Sequence, residues 1–303
     1  MGACERGDPL PRRAPTLRET APRFLEWVEQ ARLSTKTKTY YRDGWRLLKK
    51  VSILGLRLNA IDNDIAERLS FTGSAANANC ALRTLRRLLH KAEEWKLIRG
   101  ASRIKLLPEK ERSLRLDDEA ERKLLAAASQ CKWRPGTLEL FRDIIILVRD
   151  TGMRNEKELY QIRIENIDWG RGLIFVPDSK TINGIREVPL SDRALNLLRI
   201  RCRSRQEGWL FPSQRSGSGH LTTMAVKFRQ AREKAGLPKS LVLYCGRHDF
   251  GTRVLKKTGN LKLVMQTMGH VDVKTAMKYQ HPELEIVRSA LNDTSPGVPP
   301  VGA

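Results

Sequence analysis

The sequence predicts a mainly α chain, α+β in its second half, folded as two domains. Three observations predict it. Apolar residues recur at spacings of three and four through most of the first hundred positions. A proline- and charge-rich stretch, LLPEKERSLRL at residues 106–116, interrupts that period. Later, short β-rich runs broken by GRG and NG predict a small three-stranded antiparallel sheet. With 303 residues, each domain can build a core. The expected division is a flexible lead over 1–15, a helical domain over 16–107, a linker over 108–115, a mixed helical domain carrying the sheet over 116–292, and a disordered Pro/Gly-rich tail over 293–303.

Each element has its own local reason. TLRETAPRFLEWVEQARL opens on Thr16 with Glu19 three residues later, a capping-box arrangement. STKTKTYYRDGWRLLKKV starts a second amphipathic helix at Ser34, and NAIDNDIAERL gives a short third. In NANCALRTLRRLLHKAEEWKLI, the residues Ala81, Leu85, Leu88, Ala92 and Trp95 form one apolar stripe, with Arg83, Arg86, Arg87, His90 and Lys91 around the rest of the circumference. DDEAERKLLAAA places acids in the first turn of a new helix, where the helix dipole favours them. LELFRDIIILVRDTG reads as a mostly buried helix ending at Gly152. The strands are expected at residues 167–169, 173–176 and 186–190, with helices again from Ser191 onward.

The net charge of +22 is the strongest bulk signal. Such a surplus repels itself and favours a polyanionic partner, nucleic acid first. Residues 16–107 alone hold 19 Lys and Arg against 9 Asp and Glu, so the helical domain reads as a DNA clamp; the bland alternative is a solvated face on a helical bundle. No apolar run is long enough to span a bilayer, and the N-terminus lacks the apolar core of a secretory signal, so the expected location is the cytoplasm. Cys4, Cys80, Cys131, Cys202 and Cys245 are odd in number and widely spaced, which predicts reduced structural cysteines. The chain contains no GxSxG elbow, no GxxxxGK[ST] loop and no HExxH, so hydrolase, NTPase and metalloenzyme readings have nothing to rest on.

What remains is a set of basic residues around a tyrosine. TGMR supplies Arg154 just past a helix end, SKTINGIREVPL supplies Lys180 at the close of a strand, and YCGRHDFGT supplies Arg247 with Tyr244 three residues before it. MGH supplies His270, and KYQHP supplies Tyr279 nine residues later. Alone, each is an ordinary residue: an Arg at a helix end, a Lys in a hairpin, a Tyr on an amphipathic helix. In this order and spacing they resemble the tyrosine recombinase (phage integrase) family, which reads TGxRxxE…K…HxxR…GH…Y. The resemblance covers essentially the whole chain and points to the two-domain Xer-like or simple integrase type. REVPLS after Lys180 and WLFPS at residues 209–213 also match.

The resemblance implies an N-terminal core-binding (SAM-like) domain and a C-terminal catalytic domain that together clamp duplex DNA. It implies site-specific recombination through a 3′-phosphotyrosine at Tyr279, with no metal or nucleotide cofactor, in a homotetramer on specific DNA sites and as a monomer in solution. Phosphoryl transfer accounts for the residue types. Arg154 and Arg247 offer planar bidentate donors to phosphate, His270 adds a hydrogen bond, and Lys180 can protonate the departing 5′ oxygen. In the first domain the expected phosphate contacts are Arg83, Arg86, Arg87 and Lys91, then Lys36, Lys38 and Tyr40 at the start of the second helix. With so short a lead, a simple two-domain type without a further arm-binding domain is expected. PELEIVRSAL, after Tyr279, is expected to form a terminal helix that docks either on a neighbouring subunit or on its own domain.

Three positions depart from the family pattern. Tyr244 stands where the family has His, and a phenol with a pKa of about 10 is a poorer base at neutral pH than an imidazole near about 6.5. Glu158 lies four residues after Arg154, not three. Asp249 occupies a position where Thr or Ser is common, either pairing with a neighbouring base or capping the helix. Two rival readings share much of this pattern: a DNA-binding protein that kept the fold and lost catalysis, and a tyrosine-type topoisomerase.

Overall fold

The computed structural model describes residues 13–109, 114–177, 185–270, 272–277 and 279. The lead through residue 12, the middle of the expected linker, Lys180 with its turn, the expected terminal helix and the tail lie outside the described residues. The chain divides into two compact units, Met1–Glu111 and Arg112–Ala303.

The first unit is helical. Helix α1 spans Leu17–Gln30 and begins with the capping box: the Thr16 hydroxyl accepts from the Glu19 amide at 3.2 Å, and the Glu19 carboxylate accepts from the Thr16 amide at 2.7 Å. Helix α2, Thr35–Leu48, is capped by Ser34; the short α3, Asn63–Glu67, by Asp62; and α4, Ala75–Glu94, by Ser74. The predicted stripe of α4 is buried at Ala81, Leu85, Leu88 and Ala92 and packs with Leu17, Phe24, Val28, Leu48, Ile53 and Ile61. Trp95 is only half-buried, because the helix has ended before it. Helices α2 and α4 approach closely at Gly44, where a Cβ would lie 2.0 Å from the Thr84 hydroxyl and 2.7 Å from the Cys80 carbonyl.

In the second unit, α5 (Asp118–Ser129) and α6 (Thr137–Thr151) lead into a three-stranded antiparallel sheet ordered β1-β2-β3. The strands are Ile167–Asp168, Leu173–Val176 and Arg186–Pro189, with Ile174 paired to both Ile167 and Val188. The first and third are each one residue shorter than expected, an end effect of where ladder pairing stops. Helix α6 carries the apolar run Phe141, Ile144, Ile145, Leu147 and Val148 into the main core. Helices α7 (Asp192–Cys202), α8 (Ala225–Lys234), α9 (Cys245–Thr258), α10 (Leu261–Met268) and α11 (Val273–Met277) follow. Phe250, Leu255, Val264, Met268 and Tyr279 make a smaller second core. Cys80, Cys131 and Cys202 are free thiols. No helix among the described residues is long and apolar enough to cross a membrane.

Candidate active site

The site gathers around the C-terminal end of α10. That helix stops at Gly269, whose φ of +64° favours glycine, and the turn delivers His270 directly after it. Helix α6 stops the same way at Gly152, with φ +62°, so Arg154 leaves the core two residues later. Arg247 sits in the first turn of α9 and is fully buried. One guanidinium nitrogen donates to the Gly152 carbonyl at 2.6 Å; the other donates to the Met268 carbonyl and lies 3.0 Å from His270 Nε2. Because arginine can only donate, this contact makes Nε2 the acceptor and puts the imidazole proton on Nδ1. Burial works against the Arg247 charge and pulls its pKa down to about 10, with the Arg154 cation acting in the same direction and Glu158 opposing it.

Arg154 remains 30% exposed in its side chain. It hydrogen-bonds the Glu158 carboxylate through its guanidinium and, at 2.8 Å, through its own backbone amide; Nη2 reaches the Gly269 carbonyl at 3.3 Å. The extra residue before Glu158 is absorbed by a tight turn, in which the amides of both Glu158 and Leu159 donate to the Arg154 carbonyl. The acid therefore reaches the arginines despite its shifted position. Arg247 Nη1 lies 3.8 Å from its Oε2.

Tyr279 is 3% exposed. Its ring stacks on His270 with centroids 5.9 Å apart and an angle of 7°, and it meets His248 at 5.9 Å, tilted by 49°. Burial raises its phenol to about 12, against the pull of the Arg247 and Arg154 cations. Tyr244 immediately precedes α9, and its half-buried ring contacts His248 edge-on at 5.3 Å. Arg154, Arg247, His270 and Tyr279 are thus brought together, with Tyr244 joined to them through His248.

Asp249 does not face this group. It is fully buried and accepts from Arg115, Arg149 and Arg253 at 2.7 to 3.1 Å, which settles the choice between capping and pairing in favour of pairing. The sequence reading also passed over Arg186. A signal was present: Arg186 and Val188 share one face of β3, and Val188 is fully buried, so a cation was headed inward.

The basic residues of the first unit divide. Arg83 donates to the Tyr40 hydroxyl at 3.4 Å and pairs with Glu109 at 3.2 Å. Arg87 and Lys91 lie over the Trp27 ring at 4.9 and 4.5 Å and both pair with Glu94, so Lys91 keeps only 13% of its side chain exposed. Lys38 donates to the Glu29 carbonyl, Arg86 is half-buried, and Lys36 is exposed. Among the described residues, no group of three or more His, Cys, Asp or Glu is placed to hold a metal ion.

The profile of the phage integrase family matches residues 115–285. Tyrosine recombinase XerC of Xylella fastidiosa (strain M23) is 27% identical over 158 residues, 51% of this chain and 53% of its own. Tyrosine recombinase XerD of Staphylococcus saprophyticus subsp. saprophyticus is 28% identical over 163 residues, 51% of this chain and 54% of its own. The chain spans about half the length of the curated relatives it matches. Among solved structures, a Tn1549 transposon integrase in complex with a circular intermediate DNA superposes with a TM-score of 0.73 at 18% identity, covering 92% of this chain and 99% of that one. A lambda integrase tetramer bound to a Holliday junction gives 0.68 at 19% identity, covering 88% and 78%. The likeness to these structures establishes the fold, and the profile match establishes that the chain belongs to the phage integrase family.

Proposed function

We propose that the chain is a site-specific DNA recombinase that cuts and rejoins strands through a 3′-phosphotyrosine at Tyr279. The observation that carries this reading is the convergence of two guanidiniums, an imidazole and a phenol from four separate segments onto one end of α10. A phosphodiester needs such a group: donors for its non-bridging oxygens, an in-line nucleophile and a proton for the leaving alkoxide. Arg154 and Arg247 would hold the phosphate, with His270 as a further donor. The Tyr279 oxygen would form a bond to phosphorus as the bond to the 5′ oxygen breaks. Its own proton would pass to a neighbouring base, with His248 against its ring and Tyr244 against His248, and Lys180 would return a proton to the 5′ oxygen. Attack by a 5′-hydroxyl of another strand reverses the step, because the phosphotyrosine keeps the energy of the broken bond.

The guanidiniums supply the positive charge that a metal supplies in other phosphoryl transferases, so the proposed reaction needs neither metal nor nucleotide. The substrate is duplex DNA bearing specific sites, held by the basic first unit as well as by the second. Four copies act on a four-way junction, as the structural likeness to the lambda integrase tetramer suggests, and the reaction takes place in the cytoplasm.

The test is covalent capture. The full chain is incubated with a pool of nicked duplexes made from the genome that encodes it, denatured, and the protein-linked DNA is sequenced. The expected result is a 3′-linked fragment set recovered equally well in EDTA and absent with Tyr279→Phe, whose DNA affinity stays at the wild-type level. A wild type that binds these duplexes yet links none of them sinks the reading.

A further inference from the structure

Three arginines, not two, are braced in the site, and the third is Arg186 at the start of β3. Its side chain is 6% exposed. Nε donates to the Thr267 carbonyl at 2.6 Å, Nη1 to Glu158 Oε1 at 3.3 Å and Nη2 to Glu158 Oε2 at 3.0 Å. Three successive carbonyls at the end of α10 are therefore each taken by a different guanidinium: Thr267 by Arg186, Met268 by Arg247 and Gly269 by Arg154. The same three arginines converge on Glu158.

The three are not equivalent. Arg154, 30% exposed, and Arg247, whose guanidinium has N–H donors beyond those its carbonyl bonds use, can offer N–H groups to an incoming phosphate. Arg186 has each of its three guanidinium nitrogens engaged with protein, so its bonds persist when substrate arrives. It ties the turn that carries Arg154 to the helix end that delivers His270. Only a planar fork can do this, since two donors meet one carboxylate while a third reaches a carbonyl behind it.

We propose that Arg186 is a positioning residue: it clamps Glu158 to the C-terminal end of α10 and so fixes the spacing between the Arg154–Arg247 pair and the His270–Tyr279 pair. This role rests on the recombinase reading above.

The charged groups facing Glu158 are Arg154, Arg186 and Arg247. Burial pushes its carboxyl upward, and the hydrogen bonds and charge of Arg186 more than offset this, holding it below the usual range. A raised Glu158 would take up a proton in mild acid and release its arginines. That provides a readout that simple loss of packing would not move.

The experiment uses the fragment recovered by wild-type capture as probe and measures single-turnover covalent attachment between pH 5 and 9, roughly the range over which a perturbed carboxylate titrates. Arg186→Met is expected to cut the rate roughly 100-fold, leave DNA affinity unchanged and move the acid limb of the pH profile upward. Arg186→Lys, which keeps the charge and loses the fork, should restore the acid limb and only part of the rate. Wild-type kinetics in Arg186→Met, or a loss that follows its melting temperature with the pH profile unmoved, overturns the positioning role and leaves the recombinase reading standing. If Arg186→Met fails to fold, Arg186→Lys decides alone: full wild-type rate overturns the role. A wild type that links no DNA removes both.

Discussion

At the scale of single residues, Tyr279 shows what the fold imposes on a reactive group. Its phenol is raised to about 12 by burial, whereas in an unfolded chain it titrates near about 10. Below about pH 10 both states keep the proton, so the buried neutral phenol contributes its full stability. Above that the unfolded chain ionises first, and the contribution is lost as the pH climbs toward about 12. Tyr279→Phe should therefore lose less stability than wild type between about pH 10 and about 12, as paired urea melts at each pH will show. A phenol so raised keeps its proton near neutral pH, so the attack proposed for it would have to be coupled to proton removal. Tyr244, standing where the family pattern has His, meets His248 edge-on and His248 meets Tyr279, so the proposed route for that proton would pass a position at which this chain departs from the family pattern.

At the scale of elements, local sequence reported what local physics decides. The caps at Thr16 and Ser34, the stripe of α4 and the glycine stop at Gly152 all follow from spacings within a few residues. Contacts across long sequence distances were not legible. Glu158 looked misplaced by one residue until the turn after Arg154 was seen to take up the difference. Arg186 looked like flanking sequence because its partners, Glu158 and Thr267, lie 28 and 81 residues away. Nothing nearby in sequence announces that Trp27 lies beneath Arg87 and Lys91, two of the expected phosphate contacts. Gly44 is the same case in the first unit, invisible as a requirement until α4 is laid against α2. Gly44→Ala forces a methyl group into Thr84 and the Cys80 carbonyl and should cost roughly 1–3 kcal/mol, read from chemical denaturation of the full chain.

At the scale of the whole molecule, a surplus of 22 positive charges draws any duplex regardless of sequence. Affinity for a random duplex should fall steeply with salt, by roughly a thousandfold or more between about 50 and 200 mM if six or more phosphates are contacted, and a titration by fluorescence anisotropy gives the slope directly. On the proposed function, that bulk charge would recruit DNA but make no distinction between a phosphate at rest and one being cut. The end of α10 supplies the distinction. Thr267, Met268 and Gly269 satisfy guanidinium N–H groups with neutral oxygens, so the bonds hold the arginines in place without cancelling them. Among the described residues Glu158 is the acid that pairs with them, and three cations outweigh one anion. A resting phosphodiester carries a single negative charge, while the five-coordinate phosphorus formed under attack approaches two. On the proposed function, the carbonyl brace would leave a positive surplus that favours the more highly charged five-coordinate phosphorus over the intact strand, so that binding would tighten as the bond breaks.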